Sequence, residues 1–135
     1  MKEKLLTILE NSRNYTLAVA NAMPEAKFSF KLVNESWEFG DLLNHIAYGI
    51  EWWDAHIIRK IETEWNPPMT PKTKDELLKY IDKSFGILKD TLQKSEMTDE
   101  DILAFNSAFD HITHHRGQAV LFLRQNNITP PEYAY

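Results

Sequence analysis

The stretch Phe109-Asp110-His111-Ile112-Thr113-His114-His115-Arg116-Gly117-Gln118 holds three of the chain's five histidines and lies inside a long apolar-periodic segment. Phe105, Ala108, Ile112, Ala119 and Phe122 recur at the spacing of one helical face, and His111 and His115 fall on that same stripe. Histidines at i and i+4 aim two imidazoles at a common point one turn apart, which is how a helix gives two ligands to one metal ion. The plainer reading is a pair of core histidines satisfied by hydrogen bonds. It suits one histidine better than two, because each buried imidazole needs partners and two neighbouring cations repel. The spacing is that of zinc-binding helices without their intervening Glu, so the stretch reads as half of a metal site whose third ligand comes from elsewhere.

At the N-terminal side of the stretch, Thr98 followed by Asp99, Glu100 and Asp101 caps the start of this helix and sets acidic groups at the positive end of its dipole. The helix is expected to run to about residue 126 or 127, because Pro130 and Pro131 cannot continue it. Upstream, Thr73-Lys74-Asp75-Glu76 reads as a capping box opening a helix with Leu77, Tyr80, Ile81, Ser84, Leu88 and Leu92 on one face. Leu5, Ile8, Leu9, Ser12, Thr16, Val19 and Met23 define a first helix over about residues 3–22, closed by Pro24.

Ser36 is expected to cap a second helix, running to about residue 62, with Phe39, Leu42, Leu43, Ile46, Ile50, Trp53 and Ile57 as its stripe. His45 sits at the margin of that stripe, sharing a face with Asp41, Tyr48, Gly49 and Trp52. It is the obvious third ligand. The segment between the first two helices reads as an extended strap with alternating Phe28, Phe30 and Leu32, and Pro67, Pro68 and Pro71 make residues 63–72 a crossing loop. The fold class is therefore all-α, a four-helix bundle with long crossing connections, and residues 1–135 are read as one domain.

With no cysteine in the chain, disulfides, thiolate ligands and a cysteine nucleophile are excluded, and thiol chemistry would need a thiol cosubstrate. Fifteen basic against 20 acidic residues give a net charge of −5, and without a basic cluster nucleic acid is not an expected partner. No apolar run reaches the length of a membrane span and the first residues are amphipathic, so no membrane partner and a cytoplasmic setting are expected. The expected partner is a small-molecule substrate, and the expected assembly a homodimer.

These residues resemble the DinB superfamily, which includes the YfiT-like metal-dependent hydrolases and related thiol-dependent transferases. The resemblance rests on His111-Ile-Thr-His-His115-Arg-Gly-Gln118, on Phe122-Leu-Arg124 and Ile128-Thr-Pro-Pro131-Glu-Tyr133, and on Met23 to Phe28 leading through Ser36-Trp-Glu-Phe-Gly-Asp-Leu-Leu to Asn44-His45-Ile46. It implies a four-helix bundle in which His45, His111 and His115 bind a divalent metal, zinc or nickel, and a low-molecular-weight thiol as one form of cosubstrate. The function it implies is a metal-dependent hydrolase or thiol-dependent transferase, the alternative being a non-catalytic bundle whose metal or ligand site is structural or sensory.

Three imidazoles leave an ion its charge and at least one open position. A general base is harder to find, for among Asp41, Glu51, Asp54 and Asp110 only Asp41 shares a helical face with His45. Gln118, three residues after His115, is placed to orient its ring. His114 is expected to pair with Asp110 on the solvent side, His56 to lie about 16 Å along the helix from His45, Arg116 to anchor a carboxylate or a subunit partner, and Gly117 to permit close helix approach.

Overall fold

The structure is a computed structural model that describes residues 1–133; Ala134 and Tyr135 lie outside the described residues. Its helices are α1 (Lys2–Ala22), α2 (Phe39–Trp52), α3 (Lys74–Lys94) and α4 (Asp99–Gln125), and an antiparallel bridge joins Lys31 to Glu38. The expected all-α bundle with long crossing connections is what forms.

Contacts near the helix ends fix the directions. Lys2 Nζ donates to the Gln93 carbonyl, and Lys74 Nζ to those of Asn21 and Met23, so α1 and α3 are antiparallel. Gly40 lies against Leu77 while Ser84 donates to Glu51, so α2 and α3 run together. On α4, His115 meets His45 and His111 meets Gly49, which makes α2 and α4 antiparallel. The helices thus run up, down, down, up, with α1 and α2 each packed on both α3 and α4. Leu5, Leu9 and Val19 of α1, Leu42, Ile46 and Ile50 of α2, Ile81, Phe85 and Leu88 of α3, and Phe105, Ile112 and Leu123 of α4 are buried along the stripes that the sequence marked. Truncating one of these, as in Phe85→Ala, costs ~3–5 kcal/mol.

The caps follow the side-chain chemistry. Thr98 accepts the Asp101 amide while Asp101 accepts the Thr98 amide, a complete capping box. For α3, the Thr73 hydroxyl accepts the Glu76 amide. At the other end of α4 the chain turns through Asn127, at φ 57°, with its amide on the Arg124 carbonyl and that of Ile128 on Leu123. This six-to-one closure suits Asn, which tolerates the left-handed region.

The expected start of α2 is corrected. Ser36 does not cap the helix; its hydroxyl donates to the Val33 carbonyl and closes a local turn. Phe39 N–H donates to Phe30 O and Gly40 N–H to Phe28 O, so carbonyls of the strap satisfy the first helical amides and Glu38 becomes the N-cap. The expected end at about residue 62 is also corrected. After Trp52 the helix widens into a π-turn, Trp53–Ile58, with Arg59 N–H donating to Asp54 O, and stops at Lys60, whose φ is 57°.

The crossing connection, residues 59–73, then climbs back along α2. Trp52 Nε1 donates to Thr63 O, Tyr48 Oη donates to Glu64 O and accepts from Asn66 N–H, Asn44 Nδ2 donates to Pro68 O, and Asp41 accepts from the Thr70 hydroxyl. One stripe of α2 side chains therefore fastens a proline-rich segment that has few ladder amides of its own. The consequence for the site is that Trp65 is held beside His45.

Candidate metal centre

His45 projects from α2, and His111 and His115 from the facing stripe of antiparallel α4. One donor nitrogen from each lies within 4.8 Å of the others, an arrangement that could hold a metal ion. Nε2 of His45 and Nε2 of His115 are 3.0 Å apart. Across the ring, Nδ1 of His115 is 2.8 Å from Gln118 Oε1. An amide oxygen accepts only, so it holds the proton on Nδ1 and leaves Nε2 with its lone pair toward His45. Two facing nitrogens at that distance are stable only with a proton or a cation between them. Nδ1 of His111 is buried and has no hydrogen-bond partner, and its ring lies in a notch that exists because residue 49 has no Cβ. The donor set fits a divalent cation of borderline softness.

Electrostatics favour the neutral, ligating form. Burial, and then the proximity of His115, lowers the His45 pKa to about 4. Burial, followed by the other histidines, lowers that of His111 to about 4. His115 is also lowered by burial, with the Gln118 hydrogen bond acting against the shift.

Two tryptophans from the two connections flank the site. The Trp37 ring lies 4.5 Å from that of His45 and 5.9 Å from that of His115, and the Trp65 ring lies 5.3 Å from that of His45. Both remain nearly half exposed, at 46% and 45%. Beside His115 and Gln118 opens a cavity of about 450 Å³, walled by Leu32, Trp37, Leu42, Leu121 and Phe122. A cavity of about 740 Å³ lies at the far end of α3, among Asp54, Arg59 and Asp90, and none of the three histidines lines it.

The four acidic residues considered as bases are occupied elsewhere or remote. Asp41 accepts from Thr70 and Glu51 accepts from Ser84. Asp54 is fully buried and paired with Arg59 at 2.8 Å. Asp110 lines a groove with Ile8 and Leu103 between α1 and α4. His114 is exposed beside His115 but outside the converging group, and His56 accepts the Thr63 amide while stacking on Trp52, which keeps it from the site as expected.

Three expectations are overturned. Among the described residues Asp110 and His114 form no ion pair, and the His114 ring lies 4.9 Å from that of His115 instead. Arg116 is buried rather than turned outward, and among the described residues it donates to Ser12 and Thr16, with the Tyr15 ring 4.8 Å and the Tyr133 ring 5.6 Å from its guanidinium carbon. Cation–π contact with two rings offsets its desolvation. Gly117 faces open space, and the close approach falls at Gly49. Gly49 was legible in principle. It follows His45 by one turn as His111 precedes His115 by one turn, so antiparallel helices in His45–His115 register must bring Gly49 to His111.

A bundle of this order, with one imidazole from its second helix meeting two from its fourth, defines a class of histidine-centred four-helix proteins. The family model described as the DinB superfamily matches residues 8–123, and the chain belongs to that superfamily. Among solved structures, a DinB-like protein from Bacillus cereus ATCC 10987 superposes with a TM-score of 0.80 at 20% identity, covering 98% of this chain and 97% of its own. The DinB-like protein YjoA from Bacillus subtilis gives 0.71 at 20% identity, over 96% and 97%. These likenesses establish the fold. No curated protein matches the chain in sequence, and none of its helices, over the described residues, is long and apolar enough to cross a membrane.

Proposed function

We propose that His45, His111 and His115 hold a divalent ion, zinc or nickel, and that the protein acts there on a small molecule as a metal-dependent hydrolase or thiol-dependent transferase. The observation that carries this reading is the convergence of three imidazoles, two of them held neutral well below pH 6.5, with Nδ1 of His111 buried and unpartnered. Such an ion supplies Lewis acidity, making a water or thiol more acidic at neutral pH and polarising a carbonyl. The chain's own residues do the rest. Gln118 keeps the His115 proton on Nδ1, and Trp37 and Trp65 shield His45 from bulk water. With no cysteine present, any attacking thiol belongs to a cosubstrate.

A second reading, a binding or sensory bundle without turnover, is favoured by one observation: Asp41, Glu51 and Asp54 are all committed to other partners. Cobalt-substituted protein separates the two. Small thiols are titrated while a thiolate-to-cobalt charge-transfer band is followed, and a panel of esters, amides and electrophiles is then assayed with and without thiol. Turnover that His115→Ala abolishes supports the enzyme. No band with any thiol, and identical rates for wild type and His115→Ala, give the site to binding alone.

A further inference from the structure

The cavity beside His115 differs chemically from the histidine cluster it adjoins. Its walls are Leu32, Trp37, Leu42, Leu121 and Phe122, drawn from the first strap, α2 and α4. Leu121 is 53% and Trp37 46% exposed, so a cluster of large apolar side chains stands open to water beside a group of ligating nitrogens. Its volume of about 450 Å³ is that of a small-molecule pocket. Glu35 is the acidic side chain among its lining residues, and no Lys or Arg is among them. Continuity with the site is direct, because His115 and Gln118 line the cavity and the Trp37 ring reaches both His115 and His45.

We infer that the substrate carries an uncharged apolar group of ring size that docks in this cavity against Trp37 while its reacting atom meets the three histidines. The inference rests on the function proposed above for the site itself, and it adds the chemistry of the substrate's body. Apolar walls reward burial of hydrocarbon in proportion to the area removed from water. In the metal-free protein a carboxylate drawn into the same space loses hydration, meets no Lys or Arg among the lining residues and faces Glu35. The part of the substrate seated against the apolar walls is therefore uncharged, and any anionic or thiolate group belongs at the three histidines. Glu35 and Leu121 are the residues that set this preference.

The test uses metal-free full-length protein with labelled leucine methyls, so that its outcome does not depend on the ion. Benzyl alcohol is titrated as the neutral probe and phenylacetate as its anionic counterpart. Benzyl alcohol should shift the methyls of Leu32, Leu42 and Leu121 together, and phenylacetate should bind more weakly by roughly tenfold or more. Glu35→Lys, an exposed change that leaves the fold intact, should narrow or reverse that preference, and Leu121→Glu should weaken benzyl alcohol. Metal content is measured separately. Loss of the metal reading with these shifts retained would fault the proposed function and leave the pocket standing. Shifts centred elsewhere, equal affinity for the two probes, or a preference unmoved by Glu35→Lys overturn the inference. So does a dimer in sedimentation velocity that Leu121→Glu dissociates without any probe shift, since a second copy of the chain would then cover the cavity.

Discussion

Gly49 stands where an added Cβ would collide with Cε1 of His111 and lie 3.0 Å from its Nδ1. The approach of α2 to α4 therefore leaves room for the imidazole only if residue 49 has no side chain. Gly49→Ala should rotate or displace that ring while α2 itself gains propensity, Ala being the better helix former by ~1 kcal/mol. Metal affinity should fall by roughly 10- to 100-fold, the scale seen when a ligand's positioning partner is lost. Calorimetric zinc titration checks this beside circular dichroism, and unchanged affinity would show that the notch does not position His111.

Gln118 fixes His115 by its 2.8 Å contact with Nδ1. Gln118→Ala should weaken metal binding by roughly tenfold or more with little change in fold, whereas Gln118→Glu, which keeps an acceptor and adds charge, should restore or raise it. Competition with a chromophoric chelator orders the three proteins. If Ala and Glu behave alike, the hydrogen bond is incidental.

The lowered histidine pKa values give the metal-free protein a pH signature. In the folded chain His45 and His111 resist protonation until about pH 4, while in the unfolded chain they titrate near 6.5. The unfolded state thus takes up more protons between these values, and stability falls as pH drops from about 6.5 toward 4. Urea midpoints across this window should fall more steeply for the wild type than for a His45→Gln/His111→Gln variant. Parallel curves would contradict the assigned shifts. The same shifts imply that bound metal withstands acid to below pH 6.5, because protons compete poorly for nitrogens that stay neutral.

Tyr48 makes two of the bonds that fasten the crossing connection to α2, to Glu64 O and from Asn66 N–H. Tyr48→Phe removes both and should cost ~0.5–1.5 kcal/mol, since the freed groups can reach water. Amide exchange at Asn66 should quicken and the Trp65 environment change. An unaltered exchange rate at Asn66 would mean that the other contacts hold the segment alone.

The bundle and the three histidines were legible because both depend on local period. Leu9, Ile46, Ile81 and Ile112 fall on stripes that burial confirms, and His111 and His115 share one by spacing alone. Gln118 was legible for the same reason, one turn from its ring. What the sequence hid depends on approach between segments distant along the chain. Ser36 has the chemistry of a cap, yet strap carbonyls at Phe28 and Phe30 take over that role and move the helix start. Arg116 carries an ordinary surface residue's charge, and only the fold reveals Tyr15 and Tyr133 around it. The π-turn after Trp52 leaves no mark in hydrophobic period.

Whether His45, His111 and His115 together hold one ion is decided by elemental analysis of untagged protein. Wild type is measured beside His45→Ala, His111→Ala and His115→Ala, with His114→Ala as control because His114 is exposed and outside the converging group. Near-stoichiometric zinc or nickel is expected in wild type and in His114→Ala, and loss in each of the other three. Full retention in all three, or loss in His114→Ala instead, would contradict it.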